Sequence, residues 1–225
     1  MSKKMTGGEA VVQSLIANEV KIVSGLIGSS TLEILDALYD AKDINYIGCR
    51  HESNGLIMMD AYARYSNKHG VFLAGQAGPG VTNTVTAMAN AKAAFSPVVS
   101  LAGAISSDHK GKDAFQEVDQ VNMMQAVSKK VFEVLDGNEI TDVLDDAFST
   151  AMSPRSGPVH IDLPRDVLGK SSEFVTPQKF KLNKYPTANE TSLNKAFELL
   201  CKASKPVILA GGGIKNHGAK ATNSI

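Results

Sequence analysis

The chain has 225 residues, 43% of them hydrophobic, which is enough for one sizeable core and part of another. Its 23 basic and 23 acidic residues cancel and are spread along the chain, so nothing points to nucleic acid or to a strongly charged partner. The opening residues "MSKKMTGGEA" lack a signal segment, no apolar run reaches the ~18 residues of a membrane span, and Cys49 and Cys201 form no CxxC pair, so a reducing, cytoplasmic setting is expected.

In chain order, Thr6 with Glu9 and Ser30 with Glu33 fit the capping box, in which a hydroxyl and a glutamate satisfy free amides reciprocally. Each opens a helix of about a dozen residues. Strands are expected at 21–25, 45–48, 71–75, 97–101, 130–135 and 158–163, mostly as continuous apolar runs that suit strands covered on both faces. Helices are expected at 52–67, 78–93 and 138–152. This alternation predicts an α/β fold, a parallel six-stranded sheet with helices on both faces and its ligand side at the carboxyl ends of the strands. From 165 to 190 the pattern dissolves into Lys, Ser, Pro and Asn, which reads as a linker. A helix near 190–203, a strand "KPVILA" and a glycine turn "GGGIKNHG" then begin a second α/β domain. One such step cannot bury a core, so that domain is expected to be truncated. The organisation expected is a first domain at 1–170, a linker at 171–189 and the start of a second domain at 190–225.

Glu52, in "CRHESNGLIMMDAYARY", falls on the apolar side of its helix. At about 100° per residue, Leu56, Met59 and Ala63 lie within roughly 40° of it. A first-turn glutamate can simply serve the helix macrodipole. Just past a strand end on the ligand side, it can also be a buried acid, whose uncharged form is favoured by desolvation and which suits proton transfer. "GQAGPGVTN" (75–83) follows a strand and opens a helix, the setting for anion binding, but Val81 and Thr82 stand where a P-loop needs Lys and Ser/Thr. "GGGIKNHG" misses the dinucleotide fingerprint because Asn216 replaces its third glycine. His51, His69, His109, His160 and His217 show no metal-ligand spacing and read as solvated or internally satisfied. In "GKDAFQEVDQ" (111–120), Phe115 and Gln116 can offer a small ligand a wall and an amide, or the segment is a solvated loop with one anchoring aromatic.

"ILDALYD", "CRHES", "GPGVTN", "GKDAFQEVDQ" and "GPVHIDLPRDV" occur in an order and spacing that resembles the pyrimidine-binding domain of thiamine diphosphate enzymes. The likeness covers roughly 4–170, is greatest to the acetolactate synthase-like carboligases and decarboxylases, and extends to "KPVILAGGG", which resembles the start of their central domain. It implies that Glu52 hydrogen-bonds a ring nitrogen of the aminopyrimidine and promotes the imino tautomer, which takes the thiazolium C2 proton so that the ylid can attack a 2-oxo acid such as pyruvate. By the same resemblance Gly28, Gly78 and Asn83 face the cofactor, Phe115 and Gln116 lie near the substrate entrance, and Arg155 matches the arginine that contacts flavin in FAD-dependent members. Mg2+ and the diphosphate are held in this family by a third domain with a GDG…N motif, which 1–225 lacks, so no metal site is named here. The resemblance further implies a homodimer or tetramer with the active site shared between subunits, and a chain inactive alone, either a fragment or one subunit of a split enzyme. Ile27 stands where acetolactate synthases have proline and Ser156 where proline is usual, while "GLIGS" and Gln76 resemble sulfoacetaldehyde acetyltransferases. Acetolactate synthesis is the first expectation. Sulfoacetaldehyde acetyl transfer, simple 2-oxo acid decarboxylation, and a non-catalytic assembly module are the alternatives.

Overall fold

The computed structural model describes residues 2–181, 187–217 and 223. The chain runs through β1 (Ser2–Thr6), α1 (Gly7–Ala17), β2 (Ile22–Leu26), α2 (Leu32–Asp40), β3 (Asn45–Gly48) and α3 (Glu52–Ser66). Next come β4 (Gly70–Ala74), α4 (Pro79–Thr82), α5 (Val85–Ala93), β5 (Val98–Ala104) and α6 (Gln120–Gln125). β6 (Lys130–Glu133), α7 (Ile140–Met152), β7 (Val159–Pro164), α8 (Arg165–Gly169), β8 (Ser171–Val175) and α9 (Glu190–Lys202) complete the order.

Six strands form one parallel sheet in the order β3-β2-β4-β5-β7-β6, with Gly25 opposite Leu73 and Leu73 opposite Leu101. All six expected strands are present, within a few residues at their ends. Alternation along each strand divides the interior in two. Val71 and Leu73 of β4, Val99 and Leu101 of β5, and Val159, Ile161 and Leu163 of β7 join residues of α1, α2 and α7 in one core. Phe72 and Ala74 of β4, with Val98 and Ala102 of β5, join residues of α3, α5 and α6 in the other. Asn90 Nδ2 donates to Asp60 Oδ2 at 2.9 Å and ties α5 to α3.

The Thr6–Glu9 capping box forms: Thr6 Oγ1 accepts the Glu9 amide at 3.1 Å, and Glu9 Oε2 accepts the Thr6 amide at 2.7 Å. The Ser30–Glu33 box does not. α2 begins at Leu32 without a side-chain cap, and Ser30 Oγ instead accepts the Ala77 amide at 3.1 Å, because this loop is packed against the turn after β4. The helix expected at 78–93 is interrupted at Asn83–Thr84. The 171–189 linker also needs correction. Residues 171–175 are β8, paired antiparallel with β1, and Phe174 is buried beneath it. Two adjacent apolar residues, Phe174 and Val175, in a polar stretch carry no strand periodicity, and the partner strand lies at the far end of the chain.

The chain divides into two compact units, Met1–Asn183 and Lys184–Ile225. In the second, α9 is followed by "KPVILA", which is exposed and is not a strand; an isolated strand has no ladder partner, and none occurs among the described residues of this unit. A 3-10 helix spans Gly212–His217, and Gly218, the end of the glycine turn, lies outside the described residues. No helix among the described residues is long and apolar enough to cross a membrane.

Candidate active site at the carboxyl ends of the strands

β3 ends at Gly48, and Cys49 turns the chain by giving both its amide (2.8 Å) and its thiol (3.1 Å) to the Gly25 carbonyl. Burial pushes that thiol above its ordinary range. His51 is the N-cap of α3, its Nδ1 accepting the Ser53 amide at 3.2 Å, so the first helical residue is Glu52. Leu56, Met59 and Ala63 of the same stripe are all buried, and Glu52 is only 5% exposed, as its wheel position predicts. Its Oε2 accepts from Asn83 Nδ2 at 2.8 Å, and Ser53 Oγ donates to the Asn83 carbonyl. Glu52 Oε1 accepts no hydrogen bond from the described residues. It lies 3.4 Å from the place a Cβ on Gly80 would occupy, so the glycine keeps the approach to that oxygen open.

Two loops meet beside this acid. A Cβ on Gly28 would strike the Gly75 carbonyl, so the backbones touch directly. Gln76 Oε1 accepts both the amide and the hydroxyl of Ser29 at 3.0 Å, and Gln76 Nε2 donates to Gln116 Oε1. Gly78 has φ +64°, a left-handed conformation, and a Cβ there would meet the Gln116 carbonyl. Its own carbonyl accepts the amides of Val81 (3.0 Å) and Thr82 (2.9 Å), which starts α4 and delivers Gly80 and Asn83 to Glu52.

Of the residues expected from the sequence, Gly28, Glu52, Gly78, Asn83 and Gln116 are gathered at this end of the sheet. Phe115 is adjacent but 86% exposed. Arg155 is not brought to them. It precedes β7, at the amino ends of the strands, with its guanidinium 5.2 Å from the centre of the Phe95 ring. A cleft of about 390 Å3 lies between the ends of β5, β6 and β7 and the 105–122 segment, lined by Gln116, Gln120 and Asp162 among others but not by Glu52. The sequence marked Gln76 only as a subfamily feature and did not single out Gln120 or Asp162. The available signal was polarity in a strand: His160 and Asp162 alternate with apolar residues in a strand covered on both faces. Among the described residues no group of three His, Cys, Asp or Glu side chains is placed to hold a metal ion. His69 and His160 are internally satisfied, on the Phe148 carbonyl (2.9 Å) and Asp162 (2.8 Å) respectively.

Residues 5–123 match the family model described as thiamine pyrophosphate enzyme, N-terminal TPP binding domain. A probable acetolactate synthase large subunit of Methanocaldococcus jannaschii is 38% identical over 221 residues, 96% of this chain and 37% of that protein. Acetolactate synthase isozyme 3 large subunit of Escherichia coli K12 is 38% identical over 219 residues, 95% of this chain and 38% of that protein. An acetolactate synthase of Mycobacterium bovis is 35% identical over 215 residues, 94% and 35% of the two chains. The chain thus spans a little over a third of the length of these relatives.

Proposed function

The chain belongs to the thiamine pyrophosphate enzyme family, and on that premise we propose that it supplies the proton-handling half of an acetolactate synthase-like active site. The observation that carries this reading is the buried Glu52 carboxyl, with one oxygen held by Asn83 and the other accepting nothing from the described residues. Such an oxygen fits an aminopyrimidine ring nitrogen: a carboxyl shares a proton best where water is excluded, and Gly80 leaves space in front of it. When bound, thiamine diphosphate supplies a nucleophilic carbon at C2 for attack on a 2-oxo acid such as pyruvate. Glu52 holds or yields the proton on Oε1, Asn83 fixes the carboxyl plane through Oε2, and the Gly28–Gly75 contact sets the floor of the ring site. By the resemblance, the diphosphate and Mg2+ would be held by a third domain. Flavin at Arg155 is carried by resemblance alone. Assembly with further subunits is supported by the words "large subunit" in the relatives' names.

The test is thiazolium C2 proton exchange, followed by NMR in the full-length protein. Glu52→Gln keeps the shape but cannot shuttle the proton, and exchange is expected to collapse; near-normal exchange would refute the assignment. Turnover of pyruvate to acetolactate, set against turnover of sulfoacetaldehyde with phosphate, decides the substrate.

A further inference from the structure

β7 is covered on both faces, yet only one of them is apolar. Val159, Ile161 and Leu163 enter one core, whereas His160 and Asp162 point to the other side and are buried there. Polar side chains at such positions need partners, and these have them. Ser100 Oγ lies 3.3 Å from His160 Nδ1, and His160 Nε2 lies 2.8 Å from Asp162 Oδ1. The same oxygen accepts Gln120 Nε2 at 2.8 Å, and Gln120 Nε2 also lies 3.3 Å from the Gly103 carbonyl. At the other end of the amide, Gln120 Oε1 accepts the Gly78 N–H at 2.6 Å. Two acceptors on one side and a backbone donor on the other leave a single orientation for the Gln120 amide. The contacts therefore form one run, from β5 and β7 in the middle of the sheet to the turn in front of Glu52.

We propose that Gln120 is a positioning residue for Glu52: held in orientation by Asp162 and His160, it pins the left-handed Gly78 turn and so sets Gly80 and Asn83 against the Glu52 carboxyl. This rests on the reading of Glu52 as the proton-sharing acid. Gly78 is buried, and its left-handed backbone is disfavoured for any other residue and stable only while its polar groups are matched. Without the Gln120 acceptor, the buried amide would be satisfied only by letting the turn open towards water. Opening moves Asn83, because α4 hangs from the Gly78 carbonyl.

Three variants test this in the full-length protein. Gln120→Leu removes the acceptor. In the cofactor-free protein, hydrogen exchange of the 76–84 peptide should rise about ten-fold, and with cofactor C2 proton exchange should fall about ten-fold, the consequence of one unmatched buried amide. Gln120→Glu keeps an oxygen for Gly78 but sets a second carboxylate against Asp162, and should be impaired in both readouts. Adding Asp162→Asn restores a donor facing that carboxylate and should recover part of the loss in both readouts, the Gly103 carbonyl still facing a carboxylate oxygen. Unchanged peptide exchange in Gln120→Leu would overturn the proposal, as would undiminished C2 exchange despite a loosened turn. Failure of the double variant to rescue either readout would also overturn it. Near-normal C2 exchange in Glu52→Gln would overturn the functional reading itself, and with it the claim that Gln120 positions a proton-sharing carboxyl.

Discussion

At the carboxyl end of the sheet, side-chain amides and carboxyls (Gln76, Gln116, Gln120, Asp162, Asn83) hold loops to one another by hydrogen bonds. At the amino end more of the corresponding work is done by aromatic packing and backbone carbonyls. There His69 sits edge-on between Phe148 and Phe180, with ring centres 4.7 and 4.9 Å away, and its Nε2 lies 2.9 Å from the Phe148 carbonyl. The Phe180 amide donates to Asn18 Oδ1, which anchors the tail after β8. Lys129 Nζ donates to the Thr150 carbonyl at 2.7 Å near the end of α7. Directional bonds place atoms closely but leave many groups to satisfy; apolar enclosure fixes less geometry and contributes more stability. The difference suggests a division of labour, with chemistry sensitive to one end and folding to the other.

The largest effect expected is on chemistry. Glu52→Gln should lower C2 proton exchange by about 100-fold or more while the melting temperature stays within a few degrees. A variant that unfolds would break the division, because it would make the acid a structural residue. Next is acid sensitivity at the other end. Desolvation by burial lowers the His69 pKa from 6.5 to about 4. Above pH 6.5 neither the folded nor the unfolded form binds the proton, so this residue adds no pH dependence. Between 6.5 and about 4 the unfolded chain takes up a proton that the folded chain refuses. Stability should therefore fall by roughly 3 kcal/mol as pH drops through that window, and then level off. His69→Gln, which retains a donor for the carbonyl, should flatten the slope in urea titrations; an unchanged slope would assign it elsewhere.

Phe180→Ala should cost about 2 kcal/mol, the usual loss for a large aromatic scaled down for its partial burial, and should bring the His69 pKa back towards its ordinary value by NMR titration. C2 exchange should not change; a fall would couple the two ends. The smallest effect is Asn83→Ala, which removes one hydrogen bond from Glu52. It should slow C2 exchange about five- to ten-fold with little change in stability. A larger loss of stability than in Phe180→Ala would reverse the comparison.

These two ends also differ in how far the sequence announces them. The inner strands β4 and β5 are readable because parallel strands covered on both faces are largely apolar, and the wheel places Glu52 on a buried stripe whose membership Leu56, Met59 and Ala63 confirm. The family motifs name Gly28, Gly78, Asn83 and Gln116, and these do converge. What escapes is what depends on distant partners. Ser30 looks like a cap for its own helix, yet it serves the Ala77 amide. Phe174 is the one buried residue of a strand whose partner is β1. Gln120 opens α6 at the end of a polar segment, where nothing local shows that Asp162 and Gly78 lie on either side of it. Local periodicity reports which face is dry, whereas pairing of polar groups across the fold is decided only once the strands are side by side.

The contact between Gly28 and Gly75 also indicates where this scaffold can be altered. Backbone against backbone admits no side chain at Gly28, so a change there pushes the two loops apart. One position earlier, Ile27 is 71% exposed and displaces nothing. An engineer seeking a new substrate range should therefore randomise Ile27 together with the equally unencumbered Phe115, and leave the glycines between the two loops untouched.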